Sequence, residues 1–374
     1  MRIRILIIAA LTLPTLRPAA SGQTSPPPSL HEAFGGRPLI GVAVPPLDML
    51  NKDEIRLVTK HFNAITPENC IKPLFLQPQE GCFDFKTADD LVRDARMRNL
   101  AVNGHTLVWH AQTPEWFFQD NGRPAGRELL LSRMRAHIQE VAGRFAGRIQ
   151  SWDVVNEAID DGGGYLRPSP WLAGIGPDYI AEAFIAAHKA DPDAELIYND
   201  YGIENPDKRG KTLRLIRELK AAKAPIHGIG IQGHYQIDGI PLKEIEESIL
   251  AYHAEGLQVM ITELDIDVAT RSHAGADISI TEAQGVDRFA NGLPEDHQNR
   301  LADQYAALFS LILKHRDKVK RVTFWGIHDG YSWLNHFPSA RTNHPLLWDR
   351  NLQPKPAFSA VLERARNQTN SIPN

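Results

Sequence analysis

Short apolar runs alternate with longer amphipathic segments along most of the chain after residue 38. The short runs are rich in Val and Ile, which favours strands. The longer segments place apolar residues at the helical spacing, as Leu130, Met134, Ile138 and Val141 do. The pattern therefore predicts a succession of strands, most of them separated by helices.

Eight strands are predicted from these runs. They are Leu39–Val44, His61–Ile65, Ala101–Val108, Ile149–Val155, Ala194–Asn199, Gly228–Gly233, Val259–Leu264 and Val322–Ile327. The predicted helices are Ala88–Arg98, Leu129–Phe145, Tyr179–Ala190, Lys208–Ala222, Leu242–Glu255 and Asn299–His315. This alternation favours an α/β fold with a closed (β/α)8 TIM barrel over an open doubly wound sheet. An open sheet would be expected to have a glycine-rich turn after its first strand, where this chain has Pro45 and Pro46.

The amino-terminal 22 residues have the pattern of a secretory signal peptide. Arg2 and Arg4 precede an apolar run, and small residues follow it at 19–22. We predict that 23–31, which include three consecutive prolines, form a tether. A single barrel domain is predicted at 32–366, followed by a tail at 367–374. The leader indicates export, to a periplasm or to the medium, and argues against an intracellular structural barrel.

Composition excludes few classes of partner but is informative about some. The net charge of −4 with no evident basic face argues against a nucleic-acid ligand. We expect a monomer that does not contact a membrane once the leader is removed.

Cys70 and Cys82 are the only cysteines. A disulfide between them is compatible with export, but a domain of this size does not need one, so we expect free thiols. No Cys or His pair has the spacing of a metal site, and we expect no metal.

Two glutamates end the fourth and seventh predicted strands, Glu157 in IQSWDVVNEA and Glu263 in LQVMITELDID. Catalytic groups of such barrels emerge at the carboxyl ends of the strands. Two carboxyl groups that face each other across one cleft can hydrolyse a glycosidic bond. The negative charge of Glu263 is then expected to raise the proton affinity of Glu157. The alternative is that both glutamates are exposed loop residues in salt bridges.

Polar and aromatic residues also follow the other strands. Asn, Gln and His side chains can hydrogen-bond sugar hydroxyls, and tryptophan can stack on sugar rings. The connection from Asp267 to Pro294 is rich in Ala, Gly, Asp and Ser, and we expect it to arch over the site.

Seven motifs carry a family resemblance that covers the chain from about Pro38 to Phe358. They are TPENCIKP (66–73), GHTLVWHAQTPEW (104–116), DVVNEA (153–158), YNDYGIE (198–204), GIGIQGH (228–234), ITELDID (261–267) and FWGIHDGYSWL (324–334). In type and order they resemble those of the glycoside hydrolase family 10 endo-β-1,4-xylanases. The resemblance implies a TIM barrel that hydrolyses xylan and xylo-oligosaccharides with retention of configuration and without a cofactor.

The same resemblance implies roles for individual residues. Glu157 matches the acid/base and Glu263 the nucleophile. Asn156 matches the residue that binds the sugar 2-hydroxyl, and His234 the one that hydrogen-bonds the nucleophile. The residues that match sugar-binding positions are Glu68, Asn69, Lys72, His105, Trp109, Gln112, Gln232, Trp325 and Trp333.

Other interpretations remain open at several of these positions. Lys72 could pair with Glu68, His105 could be a satisfied core histidine, and the tryptophans could be packing residues. We expect Trp116, Trp171 and Trp348 to be packing or surface residues. The chain departs from the family at Ile71, Pro73, Gly202 and Leu334, where methionine, tryptophan, asparagine and arginine are frequent. The alternative functions are another retaining β-glycanase, such as a glucanase, and a xylan-binding barrel without turnover.

Overall fold

The computed structural model describes residues 29–269, 275–283 and 285–369. The predicted signal peptide (1–22) and the start of the predicted tether lie outside these residues. The end of that tether is folded, because Leu30–Ala33 is a short helix with Leu30 fully buried. Ser29 caps this helix in a capping box with Glu32. The folded domain therefore begins before residue 32, the predicted boundary.

Eight parallel strands form a closed barrel, so the predicted TIM barrel is confirmed. We number them β1 (Leu39–Val44), β2 (Ala64–Pro67), β3 (Ala101–Trp109), β4 (Ser151–Asn156), β5 (Glu195–Asp200), β6 (Gly228–Ile231), β7 (Gln258–Asp267) and β8 (Val319–Phe324). Each strand pairs with the next along the chain, and β8 pairs with β1 to close the barrel. Their carboxyl ends therefore meet at one mouth of the barrel.

Helices surround the barrel and connect its strands. They are Leu30–Ala33, Lys52–His61, Pro73–Leu76, Lys86–Met97, Arg127–Arg144, Pro170–Ile175, Tyr179–Ala190, Pro206–Ala221, Leu242–Ala254, Glu295–Lys314 and Pro356–Thr369. Four single-turn 3-10 helices lie at Leu47–Met49, Glu115–Phe118, Asp329–Tyr331 and Trp333–Asn335. A small hairpin joins Gln119–Asp120 to Arg123–Pro124, and a short strand at His234–Gln236 pairs with the end of β7.

All six predicted helices are present, and the apolar stripe of Leu130, Met134, Ile138 and Val141 is buried. Within the described residues, no helix combines the length and the apolar character that crossing a bilayer requires.

The second strand was predicted too early, at His61–Ile65. Instead, Lys52–His61 is a helix that the sequence pattern missed, and the strand begins at Ala64. Asn51 starts this helix in a capping box with Glu54. The His61 ring is buried against Trp348 and Phe358, with centroid distances of 5.1 and 5.3 Å. His61 therefore belongs to the packing between helix and barrel rather than to a strand.

The eighth strand was predicted too late, at Val322–Ile327. The structure places it at Val319–Phe324, where Arg321 to Phe324 pair with β1. Two adjacent basic residues, Lys320 and Arg321, interrupt the apolar pattern at its start. Arg321 is nevertheless buried and donates to the Ser151 hydroxyl at 2.8 Å. The strand start was therefore missed because the sequence pattern treats a charged residue as exposed, whereas Arg321 is buried in the barrel.

Both cysteines carry free thiols, as predicted. Cys70 is partly buried and Cys82 is exposed. Burial raises the pKa of the Cys70 thiol to about 12, so it is protonated at neutral pH.

Candidate active site

One cavity at the mouth of the barrel brings together all thirteen residues that the sequence predicted for the site. Its volume is about 270 Å³. The residues are Glu68, Asn69, Lys72, His105, Trp109, Gln112, Asn156, Glu157, Gln232, His234, Glu263, Trp325 and Trp333. Ala276 and Ile278 complete the wall. These two lie in the connection after β7, whose described part therefore borders the site.

Glu157 follows β4 directly and lines this cavity. Its residue is only 5% exposed, which excludes the alternative of an exposed loop salt bridge. One carboxyl oxygen, Oε2, accepts from Trp109 Nε1 at 2.9 Å, and the other accepts from Gln232 Nε2 at 2.9 Å. Donors on two other strand ends therefore fix the carboxyl group.

The environment of Glu157 favours its protonated form. Burial raises the pKa of this carboxyl to about 7, and the negative charges of Asp200 and Glu263 act in the same direction. The hydrogen bonds from Gln232 and Trp109 offset part of this increase. Burial and Asp200 contribute more than Glu263, which was the only cause expected from sequence. At neutral pH a large fraction of Glu157 can therefore donate a proton.

Glu263 lies within β7 and is also 5% exposed. Its Oε1 accepts from Asn199 Nδ2 at 2.7 Å, and its Oε2 lies 3.3 Å from His234 Nε2. Burial by itself would raise the pKa of Glu263. The hydrogen bond from His234 and the positive charges near the carboxyl group outweigh burial and lower that pKa below its usual value. Glu263 is therefore ionised in the pH range in which Glu157 is largely protonated.

A chain of contacts behind Glu263 explains this charge state. His234 Nδ1 lies 2.9 Å from Asp265 Oδ1, and Asp265 Oδ2 accepts from Trp333 Nε1 at 2.8 Å. Burial would lower the pKa of His234, but the charge and hydrogen bond of Asp265 raise it to about 9. The imidazole is then protonated at neutral pH and donates to both carboxylates. Asp265 thus holds the histidine beside Glu263 and the Trp333 indole together.

Replacing Asp265 by Asn is expected to move the acid limb of the kcat/KM profile to higher pH. Without the Asp265 charge, burial dominates and the pKa of His234 falls, so the imidazole loses its proton. Glu263 then loses a positive neighbour and its pKa rises, so the carboxylate form is reached only at higher pH. Initial rates across the pH range, on the xylo-oligosaccharides that the sequence resemblance implies as substrates, measure this shift.

Asp267 supplies a matched control for the Asp265 variant. It is a buried carboxylate on the same strand, but it accepts from Arg341 Nη2 at 2.7 Å and from Asn343 Nδ2 at 2.6 Å. Asp267→Asn is therefore expected to affect stability without moving the acid limb. An acid limb that stays in place in Asp265→Asn would contradict the proposed coupling.

Lys72 forms a polar cluster with amide side chains on one side of the cavity. Its ammonium group donates to Asn69 Oδ1 at 3.0 Å and to Gln112 Oε1 at 2.8 Å. It also lies 5.1 Å from the centroid of the Trp109 ring. Lys72 therefore does more than pair with Glu68, although the Glu68 charge favours its protonated form. Burial lowers the pKa of Lys72 and raises that of Glu68.

His105 is both a satisfied buried histidine and part of the cavity wall. Its Nδ1 lies 3.0 Å from Asp153 Oδ2, and its ring packs edge-on against Trp325 at 5.4 Å. The two interpretations of His105 from the sequence are thus compatible.

Asn156 is held in the cavity wall by a neighbouring side chain, because its Oδ1 accepts from Asn199 Nδ2 at 2.8 Å.

The tryptophans divide as predicted between the cavity and the packing around it. Trp109, Trp325 and Trp333 line the cavity. Trp171 and Trp348 are buried away from it, and Trp116 is partly buried, with Nε1 donating to the Gln77 carbonyl at 3.1 Å.

Sequence reasoning missed several residues that hold the site together. Asn199 bonds both Asn156 and Glu263, and Asp265 bonds both His234 and Trp333. Asn199 occurs in the motif YNDYGIE and Asp265 in the motif ITELDID. Both lie at strand ends, and this position could have identified them as residues of the site. Ala276 and Ile278 gave no such signal, because small and apolar residues do not mark a polar site. Across 29–269, 275–283 and 285–369, no group of three or more His, Cys, Asp or Glu side chains could hold a metal ion.

Comparison with known proteins agrees with this geometry. Residues 29–364 match the sequence profile of glycosyl hydrolase family 10. Endo-1,4-beta-xylanase A of Xylanibacter ruminicola is 41% identical over 344 residues, which cover 90% of this chain and 93% of the relative. An endo-1,4-beta-xylanase of Geobacillus stearothermophilus is 42% identical over 338 residues, covering 90% and 98%.

Solved structures extend the similarity to three dimensions. A GH10 endoxylanase retrieved from a sugarcane soil metagenome superposes with a TM-score of 0.86 at 42% identity. The superposition covers 90% of this chain and 99% of that one. Because sequence, barrel and the residues around the paired glutamates all agree, the chain belongs to glycosyl hydrolase family 10.

Proposed function

We propose that this protein is an endo-β-1,4-xylanase that hydrolyses internal xylosidic bonds with retention of configuration. The observation that carries the proposal is the opposite pKa shift of Glu157 and Glu263, two buried carboxyl groups that line one cavity. Environments that separate the pKa values of two such groups assign one as the acid and the other as the nucleophile.

In the first step, Glu157 donates its proton to the departing glycosidic oxygen while Glu263 attacks the anomeric carbon. The bond to the leaving sugar breaks and an ester between Glu263 and the glycone forms. Trp109 and Gln232 orient the acid, and Asn199 and His234 orient the nucleophile. These contacts hold both groups before the substrate binds, which lowers the entropy lost in reaching the transition state.

In the second step, Glu157 acts as a base. Esterification removes the negative charge of Glu263, one of the charges that raise the pKa of Glu157. The carboxylate of Glu157 then takes a proton from water, whose oxygen attacks the anomeric carbon and releases Glu263. Two inversions at the same carbon leave its configuration unchanged.

The choice of xylan rests on the relatives and on the shape of the cavity wall. Xylose lacks the hydroxymethyl group of glucose, so a xylan site needs less room beside each ring. Trp333 lines the cavity, and its ring stacks on Phe337 at 4.5 Å and packs against His234 at 5.0 Å. This packing restricts movement of the indole and favours the smaller sugar over a glucan.

Proton NMR of the reaction tests substrate and stereochemistry together. We expect rapid cleavage of xylohexaose with the β-anomer as the first product, and cleavage of cellohexaose that is slower by at least about 10-fold. A missing hydroxymethyl pocket discriminates by steric exclusion of a group of this size. An initial α-anomer would exclude retention. Comparable rates on the two hexasaccharides would favour a broader β-glycanase, and binding without cleavage would favour a xylan-binding barrel.

A further inference from the structure

The guanidinium group of Arg167 connects the backbone of Glu157 to two other loops. Its Nε donates to the Glu157 carbonyl at 3.0 Å. Its Nη2 donates to the Tyr201 hydroxyl at 2.6 Å and to Asp161 Oδ2 at 2.7 Å, while Nη1 lies 3.4 Å from Asp277 Oδ2. The side chain is only 12% exposed. All three guanidinium nitrogens are therefore used, and their partners lie on the connections that follow β4, β5 and β7.

Glu157 needs such support because its backbone has a left-handed conformation. Its φ is 57°, a region that residues with a Cβ atom seldom occupy. The N–H of Glu157 donates to the Asn199 carbonyl at 2.9 Å. The next two backbone amides, of Ala158 and Ile159, both donate to the Tyr198 hydroxyl at 3.0 Å. The carbonyl group between these anchors is the one that Arg167 binds.

We propose that Arg167 is a positioning residue for the acid/base Glu157, which it aims by fixing the carbonyl of that residue. The proposal rests on the proposed function, since it assigns Arg167 to the proton transfer of that reaction. Arginine suits this role because its planar group offers five donors in a fixed geometry, whereas a lysine ammonium offers a single point charge.

The two carboxylates that contact Arg167 have other partners as well. Asp161 also accepts from Lys208 Nζ at 2.7 Å and is 42% exposed, so it keeps a cation and water as partners. Asp277 is 25% exposed and also accepts from the Ser279 hydroxyl at 2.7 Å. Loss of the guanidinium group therefore leaves neither carboxylate buried without a partner.

A positioning role through Glu157 predicts a dependence on the leaving group. Proton donation matters when the departing group is a sugar alkoxide and hardly at all when it is an acidic phenol. Loss of Arg167 should therefore slow the cleavage of unactivated substrates most. A merely structural role would slow all substrates by the same factor.

The test compares Arg167→Met with the parent and with Arg209→Met. Arg209 is a matched control, because it is 15% exposed and binds the Glu244 carbonyl, Ser248 and Glu247, away from Glu157. The probes are xylotetraose and aryl β-xylobiosides whose phenols differ in acidity. In Arg167→Met we expect kcat/KM on xylotetraose to fall about 10- to 100-fold, part of the 10²–10⁴-fold that general acid catalysis supplies. On the 2,4-dinitrophenyl xylobioside the loss should be below about threefold, and Arg209→Met should show no such dependence.

An equal loss on every leaving group in Arg167→Met, or no loss at all, would overturn the proposal. Circular dichroism establishes whether the variant is folded. If it is not, Arg167→Lys carries the test, because it keeps the charge but reaches fewer partners. We expect Arg167→Lys to show the same leaving-group dependence with a smaller amplitude, and a dependence identical to the parent would refute the role. A parent protein that cleaves neither probe would instead refute the proposed function itself.

Discussion

Replacement of Glu263 by Gln is expected to lower kcat/KM on xylo-oligosaccharides by about 10⁵-fold or more, as removal of an enzymatic nucleophile does elsewhere. The amide has nearly the same shape and can still accept from Asn199, but it cannot form the glycosyl ester. His234 also loses the carboxylate that its Nε2 faces at 3.3 Å. Initial rates on xylotetraose measure the loss, with circular dichroism as a check of folding.

A mechanism-based inhibitor locates the nucleophile independently. A 2-deoxy-2-fluoro xylobioside with a dinitrophenyl leaving group is expected to label the parent protein on the peptide that contains Glu263. Glu195→Gln is a suitable control, because Glu195 pairs with Lys320 at the opposite end of the barrel, and it should retain both activity and labelling. Labelling of another carboxylate, or unimpaired turnover by Glu263→Gln, would contradict the assignment.

Replacement of Glu157 by Gln is expected to lower kcat/KM on xylotetraose by roughly 10²–10⁴-fold, the usual contribution of a general acid. In the parent, activity should fall as the pH rises through about 7, because the pKa of Glu157 is raised to about 7 and only its protonated form donates. The variant has no proton to lose at this position, so this basic limb should disappear. A kcat/KM profile on the unactivated substrate measures both effects.

Glu204 provides the matched control for this experiment. It is a buried glutamate that follows β5, and burial raises its pKa as it does for Glu157, but it does not line the cavity of the paired glutamates. Glu204→Gln should therefore keep the basic limb. Persistence of that limb in Glu157→Gln would show that another group titrates near pH 7 and would remove Glu157 from the role of acid.

Most of the fold could be predicted from sequence because its elements are periodic and separated by clear breaks. The helix Tyr179–Ala190 has the predicted bounds, and all eight strands exist. The errors at the second and eighth strands occurred at His61 and at Lys320 and Arg321, where local polarity and tertiary burial disagree. Arg321 is buried in the barrel through a hydrogen bond to Ser151, a residue 170 positions earlier in the chain. No local sequence pattern indicates a contact between residues so far apart in the chain.

The members of the site and the raised proton affinity of Glu157 were predicted, but several of the groups that set the two pKa values were not. The motifs named the residues that line the cavity, and the structure adds the groups behind them. Asp265 and Arg167 act through His234 and the Glu157 carbonyl, and neither touches the cavity where the paired glutamates lie. Their importance follows from distances and burial, which spacing in the sequence does not contain.

The sequence by itself determined which residue types end each strand, and the closed barrel then brings those strand ends to one mouth. The sequence already assigned the proton to Glu157, but only the tertiary structure supplies most of the neighbours that keep it there. Trp109, Gln232 and Asp200 surround one carboxyl group, while Asn199 and His234 contact the other, and these partners lie up to 75 positions away in the chain. A pKa depends on burial and on the charges within a few ångströms, so it becomes defined only when the folded chain has assembled those neighbours.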